Sequence, residues 1–240
     1  MTRARIIGIS GASGGVGATC LVAAVGLRGQ RRGLEVVCVD LRRYGGGLDV
    51  TFGIDHERGL RWPDLARARG RLDVPELLRH LPRANGLPVV SHDRDATVDL
   101  DPQAVAAVVD GLAAHSDLVV IDLPAPGDGE FASAVALLHQ GIVVCGSGPA
   151  QLAAAGVHAS ACVDLGLSWE IVQRLDRRAP PGLAHIVGDA LGLPVAALLP
   201  DDERVGADLR RGRIPGGRGH LAEAADAVLE AALEPMRSIA

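Results

Sequence analysis

Short apolar runs alternate along the chain with longer segments in which apolar residues recur at helical spacing. The runs predict strands at Arg5–Ser10, Leu34–Asp40, Leu87–Ser91, Leu118–Leu123, Gly141–Cys145, Glu170–Leu175 and Val195–Leu199. The longer segments predict helices at Ala18–Arg31, Pro75–Leu81, Pro102–His115, Phe131–Gln140, Ala150–Leu165 and Leu221–Leu233. This alternation predicts an α/β fold with a single domain over residues 1–240. We expect a mostly parallel, twisted sheet of about seven to eight strands with helices on both faces.

The last predicted helix has an apolar stripe and an acidic opposite face. The acidic residues are Glu223, Asp226, Glu230 and Glu234. Helices that lie on membranes favour Lys and Arg on their polar face, because many lipid headgroups are anionic. We therefore expect this helix to cover the core, and any membrane contact of the protein to be indirect.

Composition narrows the class of protein. The chain has 48% hydrophobic but only 2% aromatic residues, so the core must be built from Val, Leu, Ile and Ala, which suits a buried parallel sheet. Its net charge is −5 without a concentrated basic run, which argues against direct binding of nucleic acid. No cleavable apolar leader or membrane-spanning run is present in the sequence, so we expect a cytoplasmic protein. All 24 basic residues are arginines; the chain contains no lysine.

Cysteine and histidine do not form a metal-binding pattern. The four cysteines, Cys20, Cys38, Cys145 and Cys162, lie far apart without a paired-ligand spacing, and three of them sit in or beside apolar runs. We interpret them as buried, reduced thiols. The histidines, including His56, His92 and His115, lack ligand spacing, and we expect them on the surface or in loops.

The glycine-rich segment Gly11–Gly17 follows the first strand and precedes the first helix. In such a turn the backbone amides converge on an anion, and the helix N-terminus adds partial positive charge. The candidate phosphate contacts are Gly14, Gly15, Val16, Gly17, Ala18, Thr19 and Cys20. Thr19 stands where a phosphate loop places the hydroxyl that binds Mg²⁺. The alternative is a turn whose glycines serve only tight packing.

Two positions depart from the phosphate-loop motif G-x-x-x-x-G-K-[ST]. Ala12 replaces its first glycine and Ala18 replaces its lysine. That lysine neutralises phosphate oxygens while charge shifts during phosphoryl transfer, and losing one comparable electrostatic group costs on the order of 10²–10³ in rate. The sequence therefore predicts slow or absent turnover, while nucleotide binding depends less on the missing charge.

Two aspartates end predicted strands, where open α/β sheets bind their ligands. Asp40 ends the second strand, and Asp122 closes an apolar strand in the position of a Mg²⁺-holding carboxylate; capping of the next turn is the alternative for Asp122. Arg42 and Arg43 follow Asp40 and either replace the missing positive charge or form ion pairs. Trp62 marks either a partner surface or a helix packed on the core.

Three segments together carry a family resemblance: SGASGGVGAT, VDLRRYGGGLD and VVIDLPAPGD. In this order and spacing they resemble the MinD/ParA group of deviant Walker A ATPases. GGGLDVTFGID, GLRWPDLARARGRL and LGLPVAALLPDDERVGADLRRGRIPG are similar to its CpaE/TadZ branch, which includes helicase/secretion neighbourhood CpaE-like and septum-site-determining Ssd-like proteins. The resemblance covers nearly the whole chain. Members of this branch often carry an N-terminal receiver-like domain, and we expect none within residues 1–240.

The resemblance assigns roles position by position. It places the Mg²⁺-binding hydroxyl at Thr19, the switch I aspartate at Asp40 and the Walker B aspartate at Asp122. The signature lysine of the group matches Ser13 and the ordinary loop lysine matches Ala18, so both lysines are missing. A second switch I aspartate, which helps to orient water in active ATPases, matches Arg42.

The resemblance also implies a function. It implies a noncatalytic or weakly catalytic positioning protein for a Tad-type pilus or secretion assembly or a septum-associated complex. The alternative is an ATP-dependent dimerisation switch in which arginine replaces the missing lysines. The implied ligand is ATP or ADP with Mg²⁺, or none, and the implied partners are a second copy of the chain and proteins of the pilus, secretion or septum machinery. Such partners would recruit the protein to the cell pole or the inner membrane.

Overall fold

The computed structural model describes residues 4–96 and 98–237. Its strands are β1 (Arg5–Gly11), β2 (Val36–Asp40), β3 (Arg83–Ala84), β4 (Leu87–Val90), β5 (Leu118–Asp122), β6 (Gln140–Cys145), β7 (Trp169–Leu175) and β8 (Val195–Pro200). They form one sheet in the order β3-β4-β2-β5-β1-β6-β7-β8. Neighbouring strands run parallel except for β3 and β4, which form a short hairpin. The prediction of an α/β fold with a mostly parallel sheet is confirmed.

Ten helices connect or flank these strands in the described chain. They are α1 (Ala18–Arg31), α2 (Gly47–Phe52), α3 (Trp62–Leu65), α4 (Val74–His80), α5 (Pro102–Ala113), α6 (Gly129–Val135), α7 (Pro149–Val163), α8 (Leu183–Leu191), α9 (Glu203–Leu209) and α10 (His220–Arg237). The sequence did not predict α2, α3, α8, α9 or the short β3. The predicted helix Phe131–Gln140 is too long, because Gln140 already pairs with Ile7 of β1 as the first residue of β6.

The strands have a buried apolar layer on each face. Ile6, Val119 and Val143 point into a cluster on one face, whereas Ile7, Val120 and Val144 belong to a second cluster that includes residues of α1 and α10. Successive strand residues point to opposite faces, so a strand that is apolar throughout is buried on both. Helices therefore cover both faces, as predicted.

The terminal helix α10 packs against α1 and β8. Its apolar stripe is buried, including Leu221, Val228 and Leu229. Asp226 accepts hydrogen bonds from Arg28 Nε (3.0 Å), Arg28 Nη2 (2.7 Å) and Arg32 Nη2 (2.7 Å), which join the polar edges of α1 and α10. The interpretation of this segment as a core-covering helix is confirmed. Among the described residues, no helix has both the length and the apolar character needed to cross a membrane.

Burial in the folded chain settles the roles of several side chains for which the sequence left more than one interpretation. Trp62 is fully buried, and its Nε1 donates to the backbone oxygen of Asp40 at 2.6 Å, so it packs α3 on the core and is not a partner surface. Cys38, Cys145 and Cys162 are buried free thiols, as expected. His158 contradicts the prediction of surface or loop histidines, because it lies on helix α7 and is buried edge-on to Phe131. Burial lowers the His158 pKa to about 4, so its imidazole is neutral at pH 7.

Candidate functional site

The sheet topology brings the predicted site residues to one edge. Strands β2, β5 and β1 are neighbours, and Asp40 lies directly opposite Asp122, which in turn pairs with Ile9 just before the glycine-rich loop. Carboxyl ends of parallel strands meet at the same edge of a sheet, which is where such folds bind ligands. The loop and both aspartates, far apart in sequence, therefore form one site.

The glycine-rich loop has an open, anion-ready backbone. Gly15 (φ 75°) and Gly17 (φ 96°) are in the left-handed region, which favours glycine. The amides of Gly14 to Thr19 donate no hydrogen bond to another described residue, and no atom of the described residues lies within 4 Å of the Cβ direction of Gly14, Gly15 or Gly17. Val16 buries its side chain, so only its backbone faces the loop interior. This geometry goes beyond what tight packing alone requires.

Thr19, Asp122 and Arg42 form the centre of the site. The Thr19 hydroxyl donates to Asp122 Oδ2 at 2.7 Å, so Asp122 holds Thr19 and does not cap the next turn. Arg42 Nη1 donates to the same hydroxyl oxygen at 3.1 Å. The hydroxyl thus uses its proton on the carboxylate and a lone pair on the guanidinium.

Asp40 organises the chain that follows β2. Its Oδ1 accepts the Arg42 amide at 2.9 Å and its Oδ2 accepts the Leu48 amide at 2.8 Å. Burial raises the Asp40 pKa to about 6, although those two amides oppose the shift. Burial also raises the Asp122 pKa; the charge of Asp40 adds to the rise, and Arg42 and the Thr19 hydroxyl oppose it. Arg42 is therefore the cation that compensates two buried carboxyl groups.

These residues do not fit a Mg²⁺ ion while Arg42 keeps its position. Mg²⁺ needs its ligand oxygens at about 2.0–2.1 Å in octahedral geometry. The Thr19 hydroxyl oxygen accepts from Arg42, and both carboxylate oxygens of Asp40 accept backbone amides. The buried Asp122 Oδ1 has no hydrogen-bond partner among the described residues, but the charge that faces this carboxylate is already supplied by Arg42. Two like unit charges 4 Å apart repel by about 4 kcal/mol at an effective dielectric of 20, and a dication doubles that cost. Guanidinium and Mg²⁺ therefore exclude each other here.

The two arginines after Asp40 point to different places. Arg42 enters the site, whereas Arg43 pairs with Asp99 and lies over the Tyr44 ring with 5.2 Å between its guanidinium carbon and the ring centroid. Tyr44 is 76% exposed. The sequence left ion pairing and charge replacement open for both; Arg43 forms an ion pair, and Arg42 contacts the site hydroxyl.

His92 lies in a loop, which the prediction of surface or loop histidines allows. It is nevertheless buried beside Trp62, with 6.5 Å between the ring centroids. Burial lowers its pKa to about 4, with a smaller contribution from Arg43. His92 follows β4 and lies close to Arg42 and Arg43 in the segment after β2. This is a tertiary contact, which residue spacing in the sequence cannot reveal.

Arg174 is a site residue that sequence reasoning missed. Its Nη1 donates to the Gly15 carbonyl at 2.6 Å, and its guanidinium pairs with Asp201 at 3.0 Å. Arg174, Gly15 and half-buried Cys20 line a cavity of about 230 Å³ beside the loop. The sequence does contain a signal for this residue. Arg174 lies near the carboxyl end of a predicted strand, as Asp40 and Asp122 do.

Comparison with known protein families shows the family of this chain. Residues 4–150 match the family described as cellulose biosynthesis protein BcsQ. The chain belongs to this family. This chain is 30% identical over 226 residues to the uncharacterized protein Rv3660c of Mycobacterium tuberculosis. The match covers 93% of this chain and 63% of Rv3660c, so the chain spans less than two thirds of that relative's length.

Solved structures confirm the fold. A ParA family ATPase from Chlorobium tepidum superimposes on the BcsQ-family chain with a TM-score of 0.81 at 20% identity, over 95% of this chain and 98% of the other. The septum site-determining protein MinD of Pyrococcus horikoshii, solved with Mg-ADP, gives 0.77 at 20% identity over 98% of both chains. The predicted MinD/ParA-type P-loop fold is therefore confirmed, while the CpaE/TadZ branch remains a prediction.

Proposed function

We propose that this chain is a noncatalytic or weakly catalytic MinD/ParA-like protein that positions other proteins through direct contacts. The observation that carries the proposal is the centre of the site, where Ala18 replaces the loop lysine and Arg42 holds the Thr19 hydroxyl. The assemblies it would position are those of the CpaE/TadZ branch: a Tad-type pilus or secretion machine, or a septum-associated complex. Recruitment to the cell pole or inner membrane would come from those partners.

Loss of turnover follows from the charges around the loop. Phosphoryl transfer depends on cations that neutralise phosphate oxygens as charge moves, and on a residue that orients the attacking water. The chain has no lysine to do the first, and Arg42 stands where active relatives are expected to carry the second aspartate. Arg42 also keeps Mg²⁺ away from Thr19 by charge repulsion. Loss of one such electrostatic group costs on the order of 10²–10³ in rate.

A single-turnover assay tests the proposal. Excess purified protein is mixed with radiolabelled ATP in the presence of Mg²⁺, and released phosphate is followed over time. We expect the rate to equal that of the Asp122→Ala variant and of buffer alone. A phosphate burst in the parent that disappears in Asp122→Ala would contradict the proposal, because it would require catalysis at this site.

The position of Arg42 favours one alternative, an ATP-dependent dimerisation switch. A guanidinium at the loop supplies one positive charge in place of the missing lysines. In that case ATP would convert monomer to dimer. Sedimentation with and without ATP separates the two functions, since a scaffold keeps one oligomeric state and a switch changes it.

We expect the scaffold to be a homodimer that does not need nucleotide. Tyr44 is exposed beside Arg43 on the face of the loop and the chain after β2, and Tyr and Arg are enriched at the centres of interfaces. Proteins that resemble this chain pair across their nucleotide sites through a lysine that is Ser13 here. Without that lysine, pairing would rest on aromatic and arginine contacts, and a two-fold axis would place the same face of each copy together.

A further inference from the structure

We propose that this loop binds the polyphosphate of a nucleotide without a divalent metal, with the Arg42 guanidinium in place of Mg²⁺. The inference rests on the proposed function in one respect, that the loop is a degenerate nucleotide site. It adds the chemistry of the ligand: a phosphate-bearing nucleotide free of metal. It also assigns Arg42 a function in ligand binding. The replacement of the second switch I aspartate by Arg42 otherwise indicates only a loss of catalysis.

The first step is the location of the guanidinium. In a metal-dependent loop, the hydroxyl donates its proton to the strand-end carboxylate and offers a lone pair to Mg²⁺. Thr19 makes the first contact, with Asp122 at 2.7 Å, and its oxygen accepts from Arg42 Nη1 at 3.1 Å. The guanidinium therefore lies against the hydroxyl oxygen that a metal would need as a ligand.

The second step is how Arg42 is held there. Its backbone amide is bound by Asp40, and that carboxyl is itself fixed by the Leu48 amide and lies next to the buried Trp62 contact. These bonds fix the main chain of Arg42 at the mouth of the site, and the contact with the Thr19 hydroxyl at 3.1 Å directs its guanidinium inward. Its side chain still has further N–H donors, which fit the planar, bidentate recognition of phosphate.

The third step is the loop itself. The amides of Gly14 to Thr19 are free of partners among the described residues, and the 14-residue helix α1 begins directly behind them. These groups contact phosphate oxygens without help from a metal. The loop amides and the Arg42 guanidinium together form an anion-binding site. The guanidinium supplies the positive charge that a metal would otherwise bring.

Calorimetric titration of the full chain with ATP and with ADP, in Mg²⁺ and in EDTA, tests the inference. We expect binding in EDTA to be at least as tight as in Mg²⁺. Arg42→Ala should weaken binding in EDTA by about 10-fold or more, as expected for loss of a charge-assisted hydrogen bond, and should make the remaining binding depend on Mg²⁺. Arg79→Ala, which removes an exposed arginine of α4 outside the site, should behave like the parent.

Folding is checked by circular dichroism, and Arg42→Lys provides a second variant that keeps the positive charge. It should retain binding in EDTA even if Arg42→Ala does not fold. Parent binding that requires Mg²⁺, or a folded parent that binds neither nucleotide, would overturn the inference. A phosphate burst that disappears in Asp122→Ala would contradict the proposed function, whereas metal-dependent binding without such a burst would contradict only this inference.

Discussion

The contact between α1 and α10 allows a quantitative test with a built-in comparison. Asp226 accepts three hydrogen bonds, two from Arg28 and one from Arg32, and its side chain is only 25% exposed. Glu230 lies one turn further along α10 and pairs with the same Arg32 at 3.4 Å, but its side chain is 63% exposed. Burial and geometry therefore predict very different energies for two carboxylates that share a partner.

We expect Asp226→Asn to lower the free energy of unfolding by about 2 kcal/mol. Hydrogen bonds to charged groups contribute about 1.5–3 kcal/mol when buried, and exposed ion pairs about 0.2–1 kcal/mol, so a network at one-quarter exposure lies between them. Asparagine is nearly isosteric and has a similar helix propensity, which isolates the charge and the lost acceptor. Glu230→Gln should cost less than about 0.5 kcal/mol. In a chain of this size the Asp226 variant should melt about 4–8 °C lower.

Urea unfolding at pH 7 measures both variants, with equal slopes required for the comparison. Burial tends to raise the Asp226 pKa, but the hydrogen bonds from Arg28 and Arg32 outweigh it and leave the pKa below its ordinary value of 3.8. A lowered carboxylate pKa stabilises the fold above the unfolded pKa and loses this contribution as pH falls through the folded value. The gap between parent and Asp226→Asn should therefore shrink below about pH 4. Equal effects of the two variants at pH 7 would refute the reasoning.

Three further predictions follow from the site and the core. Ala18→Lys should raise ATP affinity about 10-fold or more by calorimetry, because an ammonium at the start of α1 adds a charge-assisted bond to phosphate. Ala18 is buried, so circular dichroism checks the fold, Ala18→Met is the uncharged control, and equal affinities of the folded variants would indicate a blocked loop. In sedimentation, Arg43→Glu should weaken the dimer and Arg79→Glu should not, so equal behaviour would place the interface elsewhere. The neutral, buried His158 should make unfolding easier as pH falls from 6.5 to about 4, by up to about 3 kcal/mol. In His158→Leu the urea midpoint should vary less over that range, and an unchanged pH profile would count against this role.

Local sequence patterns revealed some residues of the functional site but not others. The glycine-rich loop, Asp40 and Asp122 could all be found in the sequence, because a strand end followed by glycine or a carboxylate is a local pattern. The same pattern cannot tell Arg42 from Arg43, since adjacent residues of one loop differ only in side-chain direction. The directions differ because the Arg42 guanidinium contacts the Thr19 hydroxyl whereas Arg43 pairs with Asp99, and these contacts exist only in the folded chain.

The sequence by itself determined the α/β class and most of its long elements. Runs that are apolar at every position have to be buried on both faces, and helices of α1's length show their periodicity over several turns. It did not determine the short helices α2 and α3, whose six and four residues are too few to show a period and are stable only against the core. Tertiary structure alone decided that Arg42 meets Thr19 and that Arg174 reaches Gly15. Strand order places β2, β5, β1 and β7 in one sheet with their carboxyl ends together, and only that arrangement brings residues so distant in the chain within hydrogen-bonding distance.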